Sequence, residues 1–321
     1  MYSFIYMIKI KDIIPVCLLI CSFCSIPTDH FAQDVKTQSG RTKANTPEVQ
    51  WASFKLADGF VIELVASERD SVINPIDLTF DDAGRLWTQT AKMYPLDPVA
   101  DIHWNDLLKL MDDEAAQRNH PNFKRILDLY QGKTKGIDNI IILSNLYGSK
   151  PVQSTLWATG LTIPMSILPY KDGAYVAQGS ELFFLNDHTK QGKANSRTPL
   201  LTGFGFTDTH TMAHTLVRGP GDWIHFSHGA LNKGEVSSLT SDAKLKVEFS
   251  KIVKFSLDAK KMEIVNAGLN NIWGFQMRHN GQWFGSEAND LGYSVVPLEP
   301  RASFPGIGNE KLRPYQPFMP A

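Results

Sequence analysis

Pro75-Ile76-Asp77-Leu78-Thr79-Phe80-Asp81-Asp82-Ala83-Gly84-Arg85-Leu86-Trp87 is the stretch on which the fold turns. An alternating apolar segment runs into a polar turn closed by glycine, and a second segment follows with an aromatic. That pattern is a tight β-hairpin, in which Asp or Asn before Gly supplies the positive φ the turn needs. The same phrase returns at Pro164–Val176 around Gly173, at His214–Ile224 around Gly221, and at Trp273–Phe284 around Gly281. Hairpins that repeat with no helix between copies argue against a parallel βαβ sheet. Repetition in register favours a radial array over a sandwich, because one propeller blade takes roughly 40–50 residues. The expected fold is therefore all-β: a β-propeller of the six-bladed type, incomplete in this chain.

The spacing between the first two copies is too long by one insertion. Residues 95–136 hold Trp104, Leu107, Leu108, Leu110 and Met111 at helical spacing, then Phe123, Ile126, Leu127 and Tyr130. Asp101 is the expected N-cap, and Pro121 the opening of a second helix. This predicts a helical hairpin inserted in the first blade.

Composition narrows the classes of function. The chain has 321 residues, a formal net charge of −1 and 43% hydrophobic residues, which gives enough apolar content for a core and no electrostatic footprint for nucleic acid. Its three cysteines, Cys17, Cys21 and Cys24, all lie near the N-terminus, so the body has no disulfide, no cysteine zinc site and no covalent haem motif. Lys9 and Lys11 flank an apolar run from Ile13 to Ile26, which reads as the core of an export signal rather than a transmembrane span. Residues 1–32 are the expected signal, with cleavage near Ala32, and 33–50 a polar linker. Residues 51–321 are the expected propeller, ending in a proline-rich tail. A lipid anchor on Cys21 or Cys24 is the alternative to free export. The expected location is periplasmic or at the cell surface, with no transmembrane helix in the mature chain.

The densest polar cluster is Asp208, His210, His214, His225 and His228, which holds four of the nine histidines. A histidine oriented by a carboxylate is the arrangement of a general base. The spacings His210-x3-His214 and His225-x2-His228 also suit metal ligands, so a metal stays open. The odd separation of His225 and His228 puts them on opposite faces of a strand. The third reading is that these histidines hold backbone and neighbouring sheets together.

Phe54-Lys55-Leu56-Ala57-Asp58-Gly59-Phe60-Val61-Ile62-Glu63-Leu64 resembles the opening of a group of exported bacterial proteins. These are described as membrane-bound dehydrogenases, or as the propeller part of planctomycete-type haem-binding proteins, and their propeller is similar to that of soluble quinoprotein glucose/sorbosone dehydrogenases. The resemblance continues through Gly84-Arg85-Leu86-Trp87, Gly160-Leu161-Thr162-Ile163-Pro164, Leu201–His210, Asn271–Phe275 and Gly281-Gln282-Trp283-Phe284. It implies oxidation of a carbohydrate-type hydroxyl by hydride transfer to a quinone, with pyrroloquinoline quinone (PQQ) and calcium as cofactors. His210 would be the base and Asp208 its partner. Asn270, Asn271, Glu287, Asn289 and Asp290 would line the cofactor pocket, and His214 and Trp273 the substrate pocket. The family's cofactor-clamping Arg is absent here. Its acidic Gly-rich loop survives only as Asn186–Gly192, with too few carboxylates for a good calcium loop. The loops 204–214, 270–273 and 286–290 are expected to meet at the mouth of the central channel. The partners implied are a small carbohydrate or alcohol and a cytochrome c module. The alternative function is a non-catalytic carbohydrate-binding or scaffold propeller serving such a module.

Overall fold

A computed structural model describes residues 5–10, 45–111, 113–148, 150–268, 271–288 and 295–298. The chain is mostly β, in several antiparallel sheets. Strand β1 (Ile5–Ile10), within the expected signal, pairs with β2 (Phe60–Ala66). The second sheet runs β3 (Leu78–Phe80), β4 (Leu86–Gln89), β5 (Asp138–Ser144), β6 (Gln153–Leu161). The third begins β7 (Ser166–Tyr170), β8 (Gly173–Gln178), β9 (Glu181–Asn186), β10 (Ser196–Thr202). The fourth is built from β11 (His214–Arg218) and β12 (Trp223–His228), followed by β15 (Lys251–Ser256) and β16 (Met262–Ala267). Between β12 and β15 the chain leaves this sheet to form β13 (Lys233–Ser238) and β14 (Lys244–Glu248). This hairpin joins the third sheet through Leu201↔Ser238 and Thr202↔Ser237. The last sheet is β17 (Ile272–Met277), β18 (Trp283–Glu287) and β19 (Val295–Leu298).

All four hairpin phrases form hairpins. Gly84, Gly221 and Gly281 take the positive φ their turns need, at 73°, 68° and 84°. Gly173 does not. Its turn places the positive φ at Lys171 (52°), and Gly173 is needed for space, because a Cβ there would sit 2.2 Å from the Leu185 carbonyl oxygen. The helical insertion has three helices rather than two: α2 (Trp104–Met111), α3 (Glu114–Asn119) and α4 (Pro121–Tyr130). Asp113 caps α3, and His120 caps α4 with Pro121 in its first turn, where a missing N–H costs nothing. The expected linker ends in a further helix, α1 (Pro47–Ala52), capped by the Thr46 side chain. The expected cleavage point, Cys21, Cys24 and the proline-rich tail lie outside the described residues.

Strand alternation explains the core. On β5, Ile140 and Ile142 face the third sheet and pack with Trp87, Trp157, Ile167, Val176 and Phe183. Ile141 and Leu143 face the other way, against Val65, Ala66 and Leu86. The third and fourth sheets close on Tyr175, Leu182, Leu201, Leu216, Phe226 and Phe255, and the fourth and fifth on Ile252, Ile272, Phe275 and Trp283. Each fully buried side chain of this size contributes roughly 1.5–3 kcal/mol.

The first strands of successive sheets lie side by side, β3 against β7, β7 against β11 and β11 against β17. Buried hydrogen bonds bind them. The Ser166 hydroxyl donates to Asp77 Oδ2 (2.6 Å) and accepts from the Leu216 amide (2.9 Å), so one oxygen links three sheets. These four first strands, with β18, line a cavity of about 640 Å³, whose wall includes Asp77, Thr79, Thr215, Arg218, Gln276 and Ser286.

Candidate functional site

In a meander, alternate connections emerge at the same end. The links from one sheet's last strand to the next sheet's first therefore share an end with the links between second and third strands. The β10–β11 connection carries Asp208 and His210, and the insertion is the β4–β5 connection. Topology alone brings the two together.

Asp208 caps a one-turn 3-10 helix, Thr209–Thr211, accepting from the His210 amide at 2.9 Å. The same oxygen lies 3.0 Å from His210 Nδ1, and the other accepts from the Thr211 hydroxyl at 3.2 Å. A carboxylate oxygen accepts, so Nδ1 is the donor of this contact, and in the neutral ring Nε2 is then the acceptor. The His210 side chain is 55% exposed and Asp208 25%. Asn232, fully buried, fixes the turn from behind: its amide accepts from the Asp208 N–H and donates to the Asp208 carbonyl and the Thr211 hydroxyl.

The segment leading into the insertion forms the other wall. The Tyr94 ring meets the His210 ring edge-on at 5.4 Å, and the Thr209 hydroxyl donates to the Leu96 carbonyl at 2.9 Å. Asp97 is close enough for its charge to act on Tyr94 and for Asp208 and His210 to act on it. Burial first, then the Asp208 charge, holds the Asp97 carboxyl above the ordinary carboxylate range, against the pull of His210. Burial, Asp208 and Asp97 likewise raise the Tyr94 phenol.

The other histidines of the cluster are interior. His214 is fully buried, with Nδ1 2.5 Å from the Met212 carbonyl and Nε2 2.9 Å from both the Ile272 carbonyl and the Ser227 hydroxyl. It clamps the fourth sheet to the fifth. Trp273, the other residue expected in the substrate pocket, stacks on the His214 ring at 4.2 Å and packs in the apolar cluster that includes Tyr94. His225 stacks on Trp283 at 4.5 Å, and His228 bonds the Phe249 carbonyl at 3.1 Å. Burial pushes both down to about 4. Among the described residues no three His, Cys, Asp or Glu side chains stand together as metal ligands.

Of the residues expected around the cofactor, Asn271 is buried at the start of the last sheet, where its carbonyl accepts from the Ala288 amide at 2.9 Å. Asn270, Asn289, Asp290 and the Glu287 side chain lie outside the described residues. PQQ carries several carboxylates, and such a group is held by cationic forks. The wall described around His210 offers Asp97, Asp208 and Tyr94 instead, so these residues do not fit that group. In the loop Asn186–Gly192, Asp187 is met by donors: the Gln191 and Gly192 amides at 3.2 and 2.7 Å and the Thr189 hydroxyl at 3.0 Å. These outweigh burial and lower its carboxyl. A carboxylate so occupied makes a poor cation ligand.

Tyr94, Asp97 and Asn232 were not legible as site residues. Asp97 sits between two prolines in Pro95-Leu96-Asp97-Pro98, a pattern that signals only a turn, and Asn232 lies beyond the histidine cluster.

The chain belongs to the family described as domain of unknown function DUF7133, whose model matches residues 46–303. No curated protein matches it. Among solved structures, a crystal structure of the tricorn protease aligns with 70% of this chain at 11% identity and a TM-score of 0.15. The alignment spans 26% of the tricorn chain. No helix among the described residues is long and apolar enough to cross a membrane.

Proposed function

We propose that the four hairpin-bearing sheets are successive blades of an open β-propeller, and that its insertion-bearing end binds a carbohydrate-type hydroxyl compound. The fold reading is supported by first strands that abut in chain order and line one cavity. The observation that carries the functional reading is the His210–Asp208 pair, 3.0 Å apart, with His210 more than half exposed. Asp208 orients the ring through Nδ1, which leaves Nε2 for a ligand, and the Tyr94 ring packs edge-on beside it. A ligand hydroxyl placed on Nε2 would give up its proton there, which is the base half of an alcohol oxidation. The resemblance assigns the hydride to a quinone acceptor. The described residues at His210 do not hold one, so that half rests on the resemblance alone. Export to the periplasm or cell surface and a cytochrome-type partner belong to the same reading.

The test uses the full chain with aldoses and a dye acceptor, with and without added PQQ and calcium. Dye reduction lost in His210→Ala supports the oxidoreductase. Sugar binding that needs His210 but gives no turnover supports the rival, a non-catalytic carbohydrate-binding propeller. Absence of both overturns the reading.

A further inference from the structure

The cavity of about 640 Å³ between the first strands has the size of a small-molecule site, which runs to roughly 300–1,000 Å³. Leu78, Leu168, Met277 and Phe284 line it, and each keeps part of its surface exposed. Two lining residues carry charge, Asp77 and Arg218. The Asp77 carboxylate is already occupied, accepting from the Ser166 hydroxyl at 2.6 Å and the Ile167 amide at 3.0 Å. Burial, working against those donors, raises it above the ordinary carboxylate range, which lightens its negative charge. Asp77 precedes β3 and Arg218 closes β11 beside the turn of Gly221, so the two stand at opposite ends of the cavity. The Arg218 guanidinium lies 5.2 Å from the centre of the Tyr170 ring, and the Lys171 ammonium lies 5.0 Å from the same ring. Among the described residues Arg218 has no carboxylate partner and no hydrogen-bond acceptor, and Asp172 and Asp222 on the adjoining turns form no ion pair with it. A guanidinium presents its N–H donors in a planar fork that fits a carboxylate. The Tyr170 ring holds the cation and takes none of those donors.

We propose that this cavity binds a carboxylate with an apolar tail, of the medium-chain fatty-acid type. Its head sits on the fork of Arg218, and its tail lies against Leu78, Leu168, Met277 and Phe284. The head group is at the hairpin-turn end of the sheets, the end opposite the His210 loop. The inference goes beyond the hydroxyl-binding reading and does not depend on it.

The experiment is calorimetric titration of the full chain with octanoate, hexanoate, acetate and octan-1-ol. Octanoate should bind tightest. Hexanoate, two methylenes shorter, should bind about three- to tenfold more weakly, and acetate more weakly again. Octanol has the tail without the charge and should also bind about three- to tenfold more weakly than octanoate, a gap that narrows in high salt as screening sets in. Arg218→Gln should close that gap by weakening octanoate alone. Gln276→Glu, which sets a carboxylate on the same wall, is the second variant and should weaken octanoate but not octanol. Both side chains are exposed, so neither change should disturb folding. Equal affinity for octanoate and octanol, or an octanoate affinity unmoved by Arg218→Gln, overturns the place of the head. Acetate that binds as tightly as octanoate overturns the place of the tail. His210→Ala should leave octanoate affinity unchanged, which separates this test from that of the hydroxyl site. A loss there would put the ligand at the other end, and no binding of octanoate at all would overturn the proposal outright.

Discussion

Two short regions of this chain carry the same residue type to opposite ends. In Asp208–Thr211 a histidine stands on an exposed one-turn helix, oriented by one carboxylate. In β11 and β12, a few residues on, His214, His225 and His228 are built into the interior, where burial strips them of charge. The difference lies in what surrounds each ring and not in the histidine itself. A loop at a sheet's end leaves a nitrogen of His210 free for a ligand, whereas a strand facing the next sheet sets one nitrogen of His214 against the Met212 carbonyl and the other against the Ser227 hydroxyl and the Ile272 carbonyl. Density of histidine in a sequence therefore marks a place where sheets are joined as readily as a place where chemistry happens.

The sharpest way to break this contrast is to remove the clamp. His214→Ala should cost about 2–4 kcal/mol in urea unfolding, through the cavity and the abandoned carbonyl of Met212, while the Ile272 carbonyl keeps its bond from the Ser227 hydroxyl. Acid probes the same region next. His228 titrates near 4 when folded and near 6.5 when unfolded, so the unfolded chain binds its proton first as pH falls. Its stabilisation is complete above about pH 6.5 and is lost between there and about pH 4, on the order of 3 kcal/mol. Urea melts from pH 7.5 to 4.5 should show this slope, and His228→Gln should reduce it, leaving the share of His225. Asp208→Ala removes the cap of the short helix and should cost about 1 kcal/mol, while releasing the His210 ring. His210→Ala comes last. Its stability change should stay within about 0.5 kcal/mol, since its ring touches mainly Tyr94 and Asp208, and its effect should fall on ligand binding alone. A large loss of stability in His210→Ala would erase the distinction between the two regions.

Much of this was legible in the residues. The glycine turns at 84, 221 and 281 specify hairpins, because a positive φ depends on local backbone geometry. The pairing of Asp208 with His210 was legible because the two are near neighbours in sequence. What could not be read is whatever depends on distant packing. His214 meets Ile272 across 58 residues, and Asp97 comes to His210 only because the meander puts their two connections at one end. The β13–β14 hairpin was hidden for the same reason, since nothing in Lys233–Glu248 announces that it will pair with the preceding sheet.

That borrowed hairpin has a mechanical consequence. It is spliced between β12 and β15, yet its edge is hydrogen-bonded to β10, so neither neighbouring layer can peel away without pulling the other. Amide protons of the two layers should then exchange with deuterium in a single step, as one foldon, while those of β17 and β18 open on their own at lower free energy.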